Sequence, residues 1–390
     1  MRQIFNNNLI IMDKPSDYNR DDFALKHIDV DLAYDIMSTP TVYNVEYRLV
    51  TYIILWARRH NIAHEIDKYG NVYLTKGEVN DGEYYPCVTS HLDTVQTEQE
   101  EWAKVGLPLD IITKVNSQNK HEWHVDGMGI GADCKSGVVI SLSLFNHFDK
   151  IKGCFFLEEE IGCLGSKNMN TDWFKDVGYV IGYDSPELNR AAWSCSGVKL
   201  FDKTFFQEKI QKICADHGLT IFNSEPFTDV KTIREKTDLI CMNFGNGGYN
   251  PHSNNEYCVV EDMDHACGMG IDIIKSLGNK QYKLENKTQY GHYEYDSNGV
   301  KRWVTDADYS FFKDFSGYKY SYGYYNKTKS TTTNSTSTTT QNTNMEDLEY
   351  VVELYEDYID SIKTQIEGKC KELNIDFNEF NNIFNLKITC

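Results

Sequence analysis

The stretch His124–Gly137, HVDGMGIGADCKSG, surrounds Asp133 with glycines at 127, 129, 131 and 137 and then enters the apolar run Val138–Phe145. This pattern is typical of a tight loop that delivers a carboxylate to a helix start. Glycine permits sharp turns and close approach, and a helix N-terminus favours an acid. Glycine-rich turns are common, so the interpretation depends on four further motifs in fixed order: SHLDTV (90–95), FFLEEEIGCLGS (155–166), YDSP (183–186) and NPHSNNEY (250–257).

Composition restricts the class of protein. The chain has 390 residues and a net charge of −19, which argues against a nucleic-acid partner and permits cation binding. Residues 1–22 contain only a short apolar patch, broken by Asp13 and Lys14, which predicts neither a signal peptide nor a membrane span. Eleven cysteines without a CxxC pair fit reduced thiols. We therefore expect a cytoplasmic protein without nucleic-acid or membrane partners.

Apolar periodicity over residues 1–280 predicts an α/β domain. One-sided apolar positions at 44–61 indicate an amphipathic helix, and further helices are predicted at 203–217 and 263–277. Strand-like runs occur at 63–67, 71–76, 85–90, 122–125, 151–157, 178–183 and 238–244. Strands that alternate with helices favour a mostly parallel central sheet flanked by helices. Residues 1–40 give no clear prediction.

The character of the chain changes after residue 280. Residues 281–326 form a Tyr-rich extension with a hairpin signal at Asp296–Gly299. Residues 327–344 are almost purely Thr, Ser and Asn, which predicts a disordered linker. Heptad-like apolar spacing in 345–390 predicts a C-terminal helical segment suited to self-association or to docking a partner.

Polar residues follow the predicted strands at the edge where α/β sheets build their sites. Imidazole nitrogen and carboxylate oxygen are ligands that suit two divalent zinc ions, although Co²⁺ and Mn²⁺ suit them as well. Taken alone, each residue has an ordinary structural explanation as a turn former, a surface group or a solvated acid. Together they form a predicted ligand set for two metal ions, in which Asp133 would bridge: His91, Asp133, Glu160, Asp184 and His252.

Two further acids have predicted catalytic roles. Asp93 lies two residues beyond His91 and is expected to accept the second N–H of the imidazole and orient it. Glu159 adjoins a predicted ligand and is expected to act as general base. It would take a proton from a metal-activated water, whose pKa falls to about 7, and pass that proton to the departing amine.

These motifs resemble the di-zinc metallopeptidase family that contains peptidase T, aminoacylase and succinyl-diaminopimelate desuccinylase. Peptidase T-like members are the most similar, through GADCKSG and EEIGCLGS, and the similarity covers approximately residues 40–277. The resemblance implies a zinc exopeptidase-like fold, the same five ligands, Asp93 as orienter, Glu159 as base, and an aminopeptidase acting on short peptides. An N-acyl amino acid deacylase, or a catalytically silent relative that acts as a binding protein, stays open as an alternative.

One departure from the family concerns the spacing of the last two ligands. Asp184 and His252 are 68 positions apart (252 − 184), whereas two-domain members insert a whole lid domain between these ligands. We therefore expect no lid, and we expect residues 193–244 to continue the central sheet.

Overall fold

The computed structural model describes residues 19–42, 45–95, 108–225, 227–285, 292–295, 301–304 and 307–315. The chain divides into two units, residues 1–320 and 321–390, and every described residue lies in the first. The linker predicted at 327–344 and the helical segment predicted at 345–390 therefore lie outside the described residues. Among the described helices, none combines the length and apolar character needed to cross a bilayer.

The described elements alternate along the chain. The helices are α1 (Val30–Met37), α2 (Tyr47–Arg59), α3 (Ala132–His147), α4 (Leu164–Lys167), α5 (Lys203–Phe205), α6 (Gln211–Asp216), α7 (Asp229–Thr237), α8 (Val260–Leu277) and α9 (Ala307–Phe315). The strands are β1 (Ala63–Ile66), β2 (Val72–Lys76), β3 (Tyr85–His91), β4 (Ile111–Val115), β5 (His121–Val125), β6 (Ile151–Phe156), β7 (Val177–Ser185), β8 (Arg190–Cys195), β9 (Val198–Lys199), β10 (Ile221–Glu225), β11 (Cys241–Gly245), β12 (Gly248–Tyr249), β13 (Tyr257–Val259), β14 (His292–Tyr295) and β15 (Lys301–Val304).

A nine-stranded sheet forms the centre of the domain, in the order β1-β2-β6-β3-β7-β11-β8-β10, with β9 paired to β8. The four middle strands, β6, β3, β7 and β11, are parallel, and antiparallel pairs adjoin them on both sides. Strands β3 and β6 are buried along their whole length, as expected for parallel strands covered on both faces. The predicted α/β class with a mostly parallel central sheet is confirmed.

Helices cover both faces of this sheet. Gly182 of β7 lies against Val230 of α7, whereas the next residue, Tyr183, reaches Gly270 of α8. Successive residues of a strand point to opposite faces, so α7 and α8 lie on opposite sides. Gly137 of α3 packs just as closely, because a Cβ there would lie 2.5 Å from the Tyr183 carbonyl oxygen.

The segment between Asp184 and His252 continues the central sheet, as predicted. Strands β8, β10 and β11 lie in this segment and are part of the central sheet. The helix predicted at 203–217 consists of α5, a π-helical turn (Phe206–Ile210) and α6. Helix α1, in the region that gave no prediction, and helix α7 are additional elements. At the start of α3, Asp133 and Cys134 have non-helical backbone angles, so the predicted acid precedes the regular helix.

A second, antiparallel sheet has the order β12-β13-β5-β4. It joins β5, which leads into the glycine stretch, to β13, which follows His252, through the pairing of Tyr257 with His124. In the Tyr-rich extension, β14 and β15 pair antiparallel, which confirms the predicted hairpin, and the turn itself, residues 296–300, lies outside the described residues. Helix α9 packs on β10, with the rings of Phe315 and Phe222 5.4 Å apart.

Candidate active site

Two histidines lie on opposite sides of the Asp133 carboxylate. Nε2 of His91 is 3.2 Å from Oδ1 of Asp133, and Nε2 of His252 is 3.1 Å from Oδ2. Asp184 lies beside the first histidine, with Oδ1 3.1 Å from His91 Nε2. Glu160 lies beside the second, with Oε1 3.0 Å from His252 Nε2. The structure therefore brings all five predicted ligand residues together around one carboxylate.

Three potential metal-binding groups overlap here. Two share Asp133: one contains His91 and Asp184, the other contains Glu160 and His252. A third combines His91 with Glu159 and Glu160, and the donor atoms within each group lie within 4.8 Å of one another. Burial, together with the Asp133 carboxylate, raises the pKa of both Asp184 and Glu160. Buried carboxylates are costly unless cations or hydrogen bonds compensate them. This set of nitrogen and oxygen donors therefore fits divalent metal ions.

Cys134 also lies within reach of the first group. Its thiol donates a hydrogen bond to the Tyr183 carbonyl oxygen over 3.0 Å. Burial raises the pKa of the Cys134 thiol well above its ordinary value. The thiol thus lies beside the carboxylates and is engaged by a backbone carbonyl.

Asp93 holds the loop that carries the two glutamates. The nearest partner of the His91 Nδ1 atom is the backbone carbonyl of Asp93, at 2.9 Å, while the carboxylate Oδ1 is 3.3 Å away. The carboxylate oxygens accept the backbone N–H groups of Glu159 and Glu160 at 2.9 and 3.0 Å. That Asp93 orients the imidazole stays a prediction, in which its backbone carbonyl and its carboxylate both face Nδ1 of His91.

Glu159 belongs to the third of these groups, with His91 and Glu160. Its side chain is buried, and burial with the nearby Asp184 and Glu160 carboxylates raises the pKa of Glu159 to about 8. Its Oε1 accepts a hydrogen bond from the Cys163 thiol at 3.2 Å. Cys163, which is buried, thus contacts the predicted base directly.

A buried polar network supports Asp184 from the neighbouring strands. The backbone N–H of Asp184 donates to the Asn243 side-chain oxygen at 2.9 Å, and the Asn243 amide donates to Glu225 at 2.8 Å. The other oxygen of Glu225 accepts from the Ser185 hydroxyl at 2.5 Å, and burial raises the pKa of Glu225 to about 7. Sequence reasoning missed this network, because it did not predict β10, which ends at Glu225.

Glu256 holds the glycine loop in place. Its carboxylate accepts the backbone N–H groups of Gly131 at 2.7 Å and Asp133 at 3.0 Å. Gly131 has a φ of 75°, a left-handed conformation that favours glycine. The nearby Lys135 is fully buried and donates to the Met37 carbonyl at 2.7 Å. Glu256 lies within the NPHSNNEY motif but was not singled out, although an acid in a polar loop next to a strand was a usable signal.

His252 lies in a strained loop. Its φ is 59° and that of Asn250 is 55°, values that non-glycine residues seldom adopt. Such conformations persist where the surrounding structure imposes them. Here β12 and β13 pair on either side of the loop and hold both of its ends.

Comparisons with known proteins identify the fold. No family model and no curated protein sequence matches the chain. Among solved structures, the aminopeptidase PepT from Bacillus cereus ATCC 10987 is similar, with 13% identity, a TM-score of 0.54, and coverage of 65% of this chain and 100% of that one. A tripeptidase from Staphylococcus aureus subsp. aureus Mu50 has 12% identity, a TM-score of 0.50, and coverage of 64% and 99%. The chain therefore has the fold of these peptidases, as the resemblance of its motifs implies.

Proposed function

We propose that this chain is a cytoplasmic, metal-dependent aminopeptidase that acts on short peptides and uses two divalent ions, with zinc the best match to the donors. The observation that carries the proposal is the position of Asp133, whose two carboxylate oxygens face His91 and His252 separately. A carboxylate between two sets of ligands is suited to bridging two metal ions. In the described part of the chain the cysteines are unpaired and buried, which fits a reducing compartment.

The chain's own residues divide the work of peptide hydrolysis. His91 and Asp184 would hold one ion, Glu160 and His252 the other, and Asp133 both. Bound ions supply Lewis-acid polarisation of the scissile carbonyl and acidify a water molecule. Glu159 takes the proton of the attacking water on a carboxylate oxygen and delivers it to the departing nitrogen.

The likeness to solved peptidases supports aminopeptidase over deacylase activity. The similar structures are an aminopeptidase and a tripeptidase, with TM-scores of 0.54 and 0.50. Arg190, the guanidinium nearest to Asp184 in sequence, pairs with Glu187 at 3.2 Å.

The test exposes zinc-loaded protein to a mixed pool of free dipeptides and tripeptides, their N-acetylated counterparts and N-acyl amino acids, and follows the products by mass spectrometry. Wild type should release N-terminal residues from unblocked peptides only. Glu159→Gln should keep its metal content and fold but lose turnover by about 10²–10⁴-fold, the usual contribution of a general base.

The matched control is Glu158→Gln, because Glu158 is the neighbouring acid and its carboxylate is hydrogen-bonded to the Tyr69 hydroxyl. This variant should retain turnover. Equal rates for Glu159→Gln and wild type would refute the assigned base. Turnover of N-acyl amino acids alone would establish the deacylase, and metal binding without any turnover would favour a silent, partner-binding relative.

A further inference from the structure

A second group of potential ligands lies on the surface and uses none of the residues of the candidate active site. His217 directly follows α6, whereas His265 and Asp272 lie on α8. Nδ1 of His217 is 3.2 Å from Nε2 of His265, and Nε2 of His217 is 3.0 Å from a carboxylate oxygen of Asp272. The group thus connects two helices that are distant in sequence.

The Asp272 carboxylate sets the tautomer of His217. A carboxylate only accepts hydrogen bonds, so the His217 proton resides on Nε2 and the lone pair of Nδ1 faces His265. Histidines that bind metals commonly have this arrangement, in which a carboxylate holds the nitrogen opposite the metal. Asp272 therefore prepares His217 for a cation on its Nδ1 side.

The distances between the donor atoms match those around a zinc ion. Zinc–nitrogen bonds of about 2.0–2.1 Å in tetrahedral geometry separate two nitrogen ligands by about 3.3 Å, and the observed separation of the facing ring nitrogens is 3.2 Å. The His217 carbonyl oxygen lies 3.1 Å from the same His265 nitrogen and accepts its hydrogen bond. The two rings are nearly perpendicular, at 78°, and meet edge to face.

We propose that His217 and His265 bind a transition-metal ion of the Zn²⁺, Ni²⁺ or Cu²⁺ class at the surface, with Asp272 orienting His217. The ion would take the lone pairs of His217 Nδ1 and His265 Nε2. The proton now donated by His265 Nε2 to the His217 carbonyl would move to His265 Nδ1, so no net proton is released. Water would complete the coordination, and the ion would link the end of α6 to α8.

The test titrates ZnCl₂ into full-length protein whose active site is already loaded with zinc, by calorimetry and by elemental analysis after gel filtration. Wild type should take up one additional zinc per chain, and its midpoint of thermal unfolding should rise with added zinc. His265→Ala and the milder His265→Gln should lose that equivalent and the thermal response. Asp272→Asn should bind the ion about 10–100-fold more weakly, as is usual for loss of a ligand-orienting carboxylate.

His64→Ala is the matched control, because the Nε2 atom of His64 faces the Arg58 guanidinium at 3.3 Å, which disfavours a cation. It should keep the additional zinc, and all variants should keep their peptidase rates. The proposal is overturned if wild type takes up no additional zinc, or if both His265 variants retain it. Thermal unfolding without added zinc checks that each variant is folded.

Discussion

Replacing Glu256 tests how the glycine loop is held. Glu256→Ala removes a buried carboxylate and leaves the N–H groups of Gly131 and Asp133 without that acceptor. Each buried donor that loses its partner costs about 1–3 kcal/mol, so the free energy of unfolding should fall by roughly 3–5 kcal/mol. Glu256→Gln keeps one acceptor oxygen and should lose about half as much. The assay is urea unfolding of the metal-free protein, followed by tryptophan fluorescence.

The control for this experiment is Glu261→Gln. Glu261 also accepts a backbone N–H, from His121 at 2.8 Å, but its side chain is 24% exposed and water can replace the bond. The loss there should stay below about 1 kcal/mol. A Glu256→Ala variant as stable as wild type, or no less stable than Glu261→Gln, would refute the argument that Glu256 anchors Asp133.

Three further predictions concern packing, pH and the C-terminal tail. Gly137→Ala should lower the free energy of unfolding by about 1–3 kcal/mol in urea titrations, because the new Cβ would lie 2.5 Å from the Tyr183 carbonyl oxygen. The control Ser136→Ala adds no atom and should change the free energy of unfolding by less than about 1 kcal/mol. Burial raises the pKa of Glu46 from 4.5 to about 8, so the folded chain binds this proton more tightly than the unfolded chain. The free energy of unfolding should therefore decline as the pH rises from about 5 to 8. Glu46→Gln should remove that decline, and its free energy of unfolding at pH 8 should exceed that of wild type by roughly 2–4 kcal/mol in thermal or urea unfolding. An unchanged pH slope in the variant would refute the role of Glu46. Removal of residues 321–390 should leave peptide turnover unchanged, and a folded truncation without turnover would give the tail a part in the site.

The sequence predicts the centre of the fold because each middle strand is a continuous apolar run with a polar residue at its end. Strand β3 is buried throughout and ends at His91, and β6 is buried throughout and is followed within four residues by Glu159 and Glu160. Such runs specify both the strand and the edge on which its polar neighbour lies. The positions of the candidate ligands follow from this local pattern together with the glycine stretch before α3.

The supporting residues could not be predicted in the same way. Glu256 binds backbone groups more than 120 positions earlier in the chain, at Gly131 and Asp133, and such partners leave no periodic signal. Strands β12 and β13, of two and three residues, are too short for alternation to reveal them. The contact of the Asp93 carboxylate with the backbone N–H groups of Glu159 and Glu160 could not be predicted for a related reason, because these groups lie in another loop.

The packing of α9 has a consequence for the solution behaviour of shortened chains. Among the strands that the structure describes, β10 is the last on its side of the sheet, and an uncovered edge strand is a template for intermolecular pairing and aggregation. Helix α9 packs Phe312 and Phe315 against the ring of Phe222 on one face of β10, and a 2.6 Å ion pair joins Asp308 to Lys199. At the opposite edge, β1 is short and carries the exposed Glu65, which discourages such pairing by its charge. Residues 307–315 thus cover apolar rings beside this edge, and a chain ending before residue 307 should self-associate through the newly exposed apolar face of β10.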